Sequence, residues 1–504
     1  MATKIGFDNE KYLDEQAKFI MERADKAEKL YLEFGGKLLW DYHAARVLPG
    51  YDPNVKMRLL ARLADRAEVL VCIHAGAIER SKLRGDFGIT YDADAMRLIE
   101  ELGEWGVPVA GVVVTRYEGQ HAAAQFRTKL QRRGVKVYTH KATKGYPSDV
   151  ETILSKEGYG ANEYVPTTKP IVVVTGPGPG SGKLATALTI FYHDRIAGRP
   201  AAYSKFETFP VWNLPLKHPV NLAYEAATVD LGDFNCVDPF HLEAYGKTSI
   251  NYNRDVEVFP VLRRMLQKLT GGEVDFRSPT DMGVNRIASG IVDDEAVREA
   301  ARQEVVRRYF REARSYAFGS SEAEALRRIE ALMEELELKP EDRKVVLPAR
   351  KAAEEARTSR KGDKGIFCGA AIELPDGSIV TGRNSELFHA AGAVVLNAAK
   401  KLAGIPDRIH LLPPAVTASI GALKRDVLGR KSESLNLDET LIALSVSAAT
   451  NPAAQAAMES LKELAGCELH LSHVPGPGDE AGLRNLGVNA TCDAALAVRL
   501  PAAK

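Results

Sequence analysis

The sequence predicts an α/β protein in three parts. Expected are an N-terminal parallel-sheet domain, P-loop-like or Rossmann-like, over 1–285, a helical middle segment over 286–362, and a C-terminal α/β domain with a deaminase-like outline over 363–504. Three observations predict it. From Glu68 onward short apolar runs alternate with amphipathic helical stretches, the pattern of a parallel sheet covered on both faces. The run Ile171-Val-Val-Val174 enters a glycine-rich loop and then a helical stretch beginning at Leu184. Pro375-Asp-Gly377, between two apolar runs, signals a hairpin that opens the last part.

Taken in order, residues 1–66 read as mostly helical, with Glu10 to Tyr31 near helical spacing and Gly35-Gly36-Lys37 as a backbone cradle. His43, Arg46 and Asp52 follow as polar candidates. Strands are expected at Glu68–Ile73, Val107–Thr115, Val135–Thr139, Ile171–Val174 and Ala201–Ser204, with helices at Asp92–Gly103 and Gln120–Arg133 between them and a short one at Asp149–Glu157. His74, Arg80, Lys82, Arg84 and Asp86 follow the first of these strands, Arg116 and Tyr117 the second, and His140, Lys141 and Lys144 the third. Parallel sheets bind ligands beyond the carboxyl ends of their strands, so these residues converge on one edge. The long aromatic-rich stretch from Lys205 to Phe259 contains Ala227–Leu231, expected as a strand ending near Asp230. After it come a helix to Leu269, a polar loop at Ser278–Arg286, and helix formers with paired charges over 293–360. The last part reads as strands Phe367–Leu374, Ile379–Gly382, Arg408–Leu412 and Glu468–Leu471. Its helices are expected from the Phe388-His-Ala390 region to Leu402, at 439–450, at 452–465, and after His473-Val-Pro-Gly-Pro-Gly-Asp479.

Composition narrows the function classes. Lys+Arg and Asp+Glu balance at 67 each, so no global field favours nucleic acid or a membrane surface. No apolar run approaches the roughly 20 residues that span a bilayer. The first ten residues lack the apolar core of a secretory leader, and the five scattered cysteines suit packed thiols in a reducing cytoplasm.

The loop carries the chemistry. Gly176, Gly178, Gly180, Ser181 and Gly182 offer backbone amides ahead of a helix start, and Lys183 is the cation beside them. The phosphate-loop spacing is imperfect. Counting back from Gly182, its first glycine is Pro177, and Leu184 replaces the hydroxyl that holds magnesium. A tight turn without a ligand is the other reading. Asp230 and Asp238 are the metal candidates, because P-loop enzymes place such a carboxylate at a strand end, with His241 and Asp281 as further catalytic candidates. Redox chemistry on a Rossmann-like site is a third reading, with Glu207 at about the spacing of the acidic ribose partner.

In the last part, the hairpin and the helix begun near His389 are similar in outline to cytidine deaminases. Ala391 stands where the proton-shuttling glutamate of that family would be, and Pro475-Gly-Pro-Gly478 supplies no cysteine ligands. The Tyr31–Pro53 run, the loop Thr175–Lys183, the stretch from Tyr224 to His241, and His473 to Glu480 together resemble one bacterial full-length family of unknown function. Some of its members bear an automatic ATP-dependent zinc protease label. The resemblance covers almost the whole chain and implies no assigned catalytic residue. A zinc protease is not supported, since His-Glu-x-x-His and any close His/Cys ligand cluster are lacking.

The expectation is therefore a cytoplasmic protein that binds a nucleotide or another small phosphorylated ligand, with ATP and magnesium as the cofactor expectation and no zinc. Phosphoryl transfer or hydrolysis is the expected chemistry. The alternative is a non-catalytic homo-oligomer in which the glycine loop is only a turn.

Overall fold

The computed structural model describes residues 5–84, 88–272, 274 and 276–496. The chain divides into two compact units, the first ending at Ala301 and the second beginning at Arg302. The boundary lies inside the helix Asp294–Ala317, so the helices expected as a separate middle domain are shared between the two.

The first unit is built on six parallel strands. These are β1 (Lys29–Phe34), β2 (Ala67–His74), β5 (Val109–Thr115), β6 (Val137–His140), β7 (Ile171–Thr175) and β8 (Ala201–Phe206), in the order β6-β5-β2-β7-β1-β8. The two-residue strands β3 (Leu83–Arg84) and β4 (Ile89–Thr90) pair separately, as do β9 (Asn235–Val237) and β10 (Ile250–Tyr252). Strands β2, β5 and β6 step outward to one edge. The chain then returns to lay β7 between β2 and β1, and crosses β1 to reach β8. The reversal makes β7 the switch strand, the place where such sheets open a crevice at their carboxyl ends.

Both faces of the sheet are buried. Tyr31, Leu70, Cys72, Val113, Val172 and Val174 share one core with Ala187, Leu188 and Phe191 of the helix Lys183–Ile196. Leu32, Val71, Ile73, Val112 and Val173 are equally buried. Burial of each such side chain contributes roughly 1.5–3 kcal/mol. Tyr31 donates its hydroxyl to Asp194 at 2.5 Å, which ties β1 to the end of that helix.

Three expected elements differ. The first helix runs only from Asn9 to Ala24, and Lys29–Phe34 is a strand, second from one edge of the sheet. Buried from Leu30 to Phe34, this strand shows no alternation, so its leucines passed for a continuing helical stripe. Ala227–Leu231 is the end of the helix Pro219–Ala227 followed by a 3-10 turn. His218 and Pro219 start that helix too close for a strand to fit, and Gly232 at φ 71° turns the chain. Arg408–Leu412 forms no strand.

The second unit has a four-stranded sheet. Strands β11 (Gly369–Glu373) and β12 (Ile379–Arg383) form the expected hairpin. Strand β13 (Glu468–Leu471) pairs antiparallel with β11 and parallel with β14 (Asn489–Cys492). Buried Arg343 binds the Asn489 carbonyl at 2.7 Å and Thr491 Oγ1 at 3.0 Å, locking a helical turn to the last two strands. No helix among the described residues is long and apolar enough to cross a membrane.

Candidate functional site

Strand lengths create the site in the first unit. Thr175, the last residue of β7, pairs with Val71, while β2 continues three residues to His74, which pairs with Thr115 of β5. Strand β7 therefore stops short of its neighbour β2, and the glycine loop occupies the resulting recess.

The loop fits closely. A Cβ on Gly176 would lie 2.3 Å from the Cys72 carbonyl oxygen, one on Gly178 2.5 Å from the Tyr91 hydroxyl, and one on Gly182 2.7 Å from Thr115 Cγ2. Gly180 and Gly182 have φ of 73° and 91°, a region that disfavours any side chain. Thr115 donates its hydroxyl to the Ser181 carbonyl at 2.8 Å. Gly176→Ala is expected to cost about 1–3 kcal/mol, because the Cys72 carbonyl belongs to a central strand and cannot retreat. Urea denaturation followed by tryptophan fluorescence checks this, since Trp40, Trp105 and Trp212 all lie in the first unit.

Among the described residues no acceptor serves the amides of Gly178, Gly180, Ser181, Gly182 or Lys183, and the first bond of the helix runs from the Thr186 amide to the Gly182 carbonyl. The Ser181 hydroxyl is buried without a partner. Lys183 has no carboxylate within ion-pair distance among the described residues. A narrow cleft lined by Lys37, Trp40, Arg84, Asp94, Gly176 and Pro177 runs alongside.

The two sides of the loop differ in charge. On the β2/β5 side, His74 Nδ1 accepts the Gly76 amide at 2.8 Å. Burial, together with Arg116, Arg80 and Lys82, holds the His74 pKa below its usual value, although its backbone hydrogen bond opposes this. On the β1/β8 side, Glu207 lies against Gly35, whose Cβ would overlap its carboxylate. Burial raises the Glu207 pKa, against the pull of Lys205 and Lys183. Lys205 Nζ bonds Asp255 at 2.5 Å, approaches Glu207 at 3.3 Å and reaches the Tyr252 hydroxyl. Burial opposes the Lys205 charge, but Asp255, Tyr252, Glu207 and Glu33 outweigh it and raise its pKa. Glu33 in turn accepts from the Tyr203 hydroxyl at 2.6 Å. Lys56, fully buried, bonds Asp41 at 2.8 Å and the Lys37 carbonyl at 2.9 Å, and so fixes the chain after Gly35-Gly36.

The remaining candidates gather elsewhere. Asp238 caps the helix Pro239–Tyr245: Oδ1 accepts the His241 amide at 3.0 Å, and Oδ2 accepts the Thr280 amide and hydroxyl at 3.1 and 2.7 Å. With both oxygens engaged, it acts as a cap. His241 Nδ1 meets Ser278 Oγ at 2.9 Å, and Asp281 accepts from Tyr245 at 2.6 Å. These residues form one cluster around Ser278–Asp281, and no hydrogen bond among the described residues joins it to the loop. Asp230 is exposed in the 3-10 turn and so does not end a strand. No group of three or more His, Cys, Asp or Glu side chains comes together as a metal site among the described residues. His43 packs edge-on to Phe209, and Asp86 lies outside the described residues. Glu207 follows β8, which β1 separates from β7. The Lys205–Asp255 network went unread in the sequence; its only signal was Lys205 and Glu207 following an expected strand.

In the second unit, His389 stands just before the helix Ala390–Leu402, and its Nδ1 lies 2.7 Å from Asp479 Oδ2. Asp479 is buried and also accepts the Leu437 amide at 2.8 Å. His470 Nδ1 meets Thr491 at 2.9 Å, and Asp493 accepts from Arg350 at 2.8 Å.

These features define an α/β protein of two units, the first holding a glycine-rich strand–loop–helix at the switch point of a parallel sheet. The chain belongs to the family described as domain of unknown function DUF1846, whose N-terminal model matches residues 5–337 and whose C-terminal model matches residues 341–499. Its relatives include the "UPF0371 protein" of Clostridium botulinum (strain Alaska E43 / Type E3), 56% identical over 491 residues and 97% of each chain. That of Clostridium tetani (strain Massachusetts / E88) is 55% identical over the same share of each chain.

Proposed function

We propose that the first unit binds a phosphorylated small molecule, a nucleotide in the first instance, at the P-loop-like turn Gly176–Lys183, and that its chemistry is phosphoryl transfer or hydrolysis. One observation carries this reading: the unpaired amides, the buried partnerless Ser181 hydroxyl and the unpaired Lys183 ammonium belong to one short loop that follows the switch strand. Loop amides hold phosphate oxygens, and Lys183 neutralises the charge that develops on them. Glu207, close enough to Lys183 for each charge to act on the other and with its pKa raised, is the group placed to handle a proton. Ser181 and Thr186, whose hydroxyls are buried without partners, are the residues beside the loop that would serve a magnesium ion accompanying the ligand. The second unit is deaminase-like in outline only.

Titration calorimetry with ATP and magnesium tests this. Lys183→Ala should weaken binding roughly tenfold to a hundredfold, the value of about 1.5–3 kcal/mol for one hydrogen bond to a charged group. Equal affinity in the variant removes the proposal. A second reading, a non-catalytic homo-oligomer, draws on exposed Ile442 and Val446 of the helix Leu437–Ala448 and on exposed Leu423, Val427 and Leu428. Sedimentation velocity on the full chain tests it.

A further inference from the structure

The strand ends around the loop carry more positive charge than one phosphate needs. Thr115 grips the loop at Ser181 and packs on Gly182, and Arg116 is the next residue. Tyr91 packs on Gly178, and Lys82 Nζ lies 5.0 Å from the centre of the Tyr91 ring. Arg80 Nη1 would be 3.4 Å from a Cβ on Gly76, the residue whose amide binds His74. Arg80, Lys82 and Arg116 are exposed, and none has a carboxylate within ion-pair distance among the described residues. The nearby Glu79 carboxylate is taken by the Ala122 amide at 2.9 Å. With Nδ1 of His74 accepting, the neutral ring carries its proton on Nε2 and presents a further donor.

Backbone strain points to the same place. Arg116 has φ of 50°, a conformation that costs a non-glycine residue free energy and that gathers at ligand sites. It stands at the carboxyl end of β5, against the loop. A single phosphate carries roughly −1.5 to −2 charge at neutral pH. Arg80, Lys82, Arg116 and Lys183 together offer twice that or more. On the opposite side of the loop Glu207 and Asp255 share the Lys205 ammonium, so that cation is already engaged.

We propose that the ligand of this loop carries a phosphoanhydride chain of two or more linked phosphates, one held by the loop and Lys183 and the next lying against Arg116, Lys82 and Arg80. This rests on the reading of the loop as a phosphate site. The chain runs toward β2 and β5, and the rest of the ligand faces the acidic β1/β8 side.

The test is calorimetry on the full chain with orthophosphate, pyrophosphate and tripolyphosphate at constant ionic strength, with and without magnesium. The proteins are wild type, Lys183→Ala and the double variant Lys82→Gln/Arg116→Gln. The exposed positions of the double variant leave folding intact, which circular dichroism verifies. Expected is a tenfold or greater gain from orthophosphate to pyrophosphate in wild type. The double variant should lose that gain while keeping orthophosphate affinity. Equal affinity for orthophosphate and pyrophosphate, with Lys183→Ala still weakening both, overturns the chain proposal and leaves the phosphate site standing. A gain that survives in the double variant overturns it as well. No binding of any of the three phosphates removes both proposals.

Discussion

Lys205→Met should lower the stability of the first unit by about 3–5 kcal/mol, the cost of leaving a buried charge uncompensated. Methionine keeps most of the volume, so packing changes little. What disappears is the cation that, among the described residues, Asp255 and Glu207 both contact. Glu33, also near enough to act on Lys205, and the Tyr252 and Tyr203 hydroxyls crowd the same space. Without the ammonium, neighbouring carboxylates face one another in a poorly solvated pocket, and part of the group must take up protons to fold. Adding Asp255→Asn removes one of the stranded charges and should recover part of the loss. Urea midpoints read by tryptophan emission measure both variants. A change under about 1 kcal/mol for the single variant, the range of a surface ion pair, means that the network is solvated and that the charge asymmetry of the site is weak.

The second large effect is acid sensitivity of the second unit. Burial drives the pKa of His473 down to about 4, with Asp479 and Asp493 opposing and His389 and His470 assisting. In the unfolded chain the same ring titrates near 6.5. Between these values the unfolded state binds the extra proton, so stability rises with pH across the window and falls as pH drops from about 6.5 to about 4. The loss reaches about 3 kcal/mol at the lower end, at about 1.4 kcal/mol per pKa unit. Asp493 acts in the same direction but in a lower pH window. Burial raises its pKa, but His470 and Arg350 overcome this and hold it at about 2, so its contribution is present above about pH 4 and fades only as pH falls toward 2. Acid loss above pH 4 is therefore histidine-driven. Denaturation monitored by hydrogen exchange in peptides from 369–492 should show the slope in wild type and a flatter profile in His473→Gln. A wild-type profile that is already flat between pH 6.5 and 4.5 defeats the assignment.

Much of the fold was legible because parallel strands announce themselves locally. Ile171–Thr175 is an apolar run between Pro170 and Gly176, Val109–Thr115 is one that follows Pro108, and the structure has both as strands with those cores. The Pro375-Asp-Gly377 turn produced its hairpin for the same reason: the turn residues set the backbone angles themselves. Strand β1 was illegible. A strand buried along nearly its whole length loses the period-two signal, and it follows a real helix without a proline or glycine to mark the change. That one miss hid much of the site, because the carboxyl end of β1 brings Glu33 and Gly35 beside Lys205 and Glu207. Asp238 illustrates a different ambiguity. An aspartate before proline suits a metal site and a helix cap equally well in one dimension, and its three accepted hydrogen bonds show it serving as the cap.

The amino-acid order alone determined the α/β class, the place of the glycine loop ahead of a helix, and the basic residues that follow successive strands, because each depends on neighbours within a few positions. Tertiary structure alone decided that β7 lies between β1 and β2, that the loop fills the notch where β7 stops short of β2, and that Lys205 is shared by Asp255 and Glu207 beside β8. It also joined His389 to Asp479 across 90 residues. Strand order and such distant pairings follow from how whole layers pack, and packing between segments far apart in the chain leaves no periodic trace in either segment.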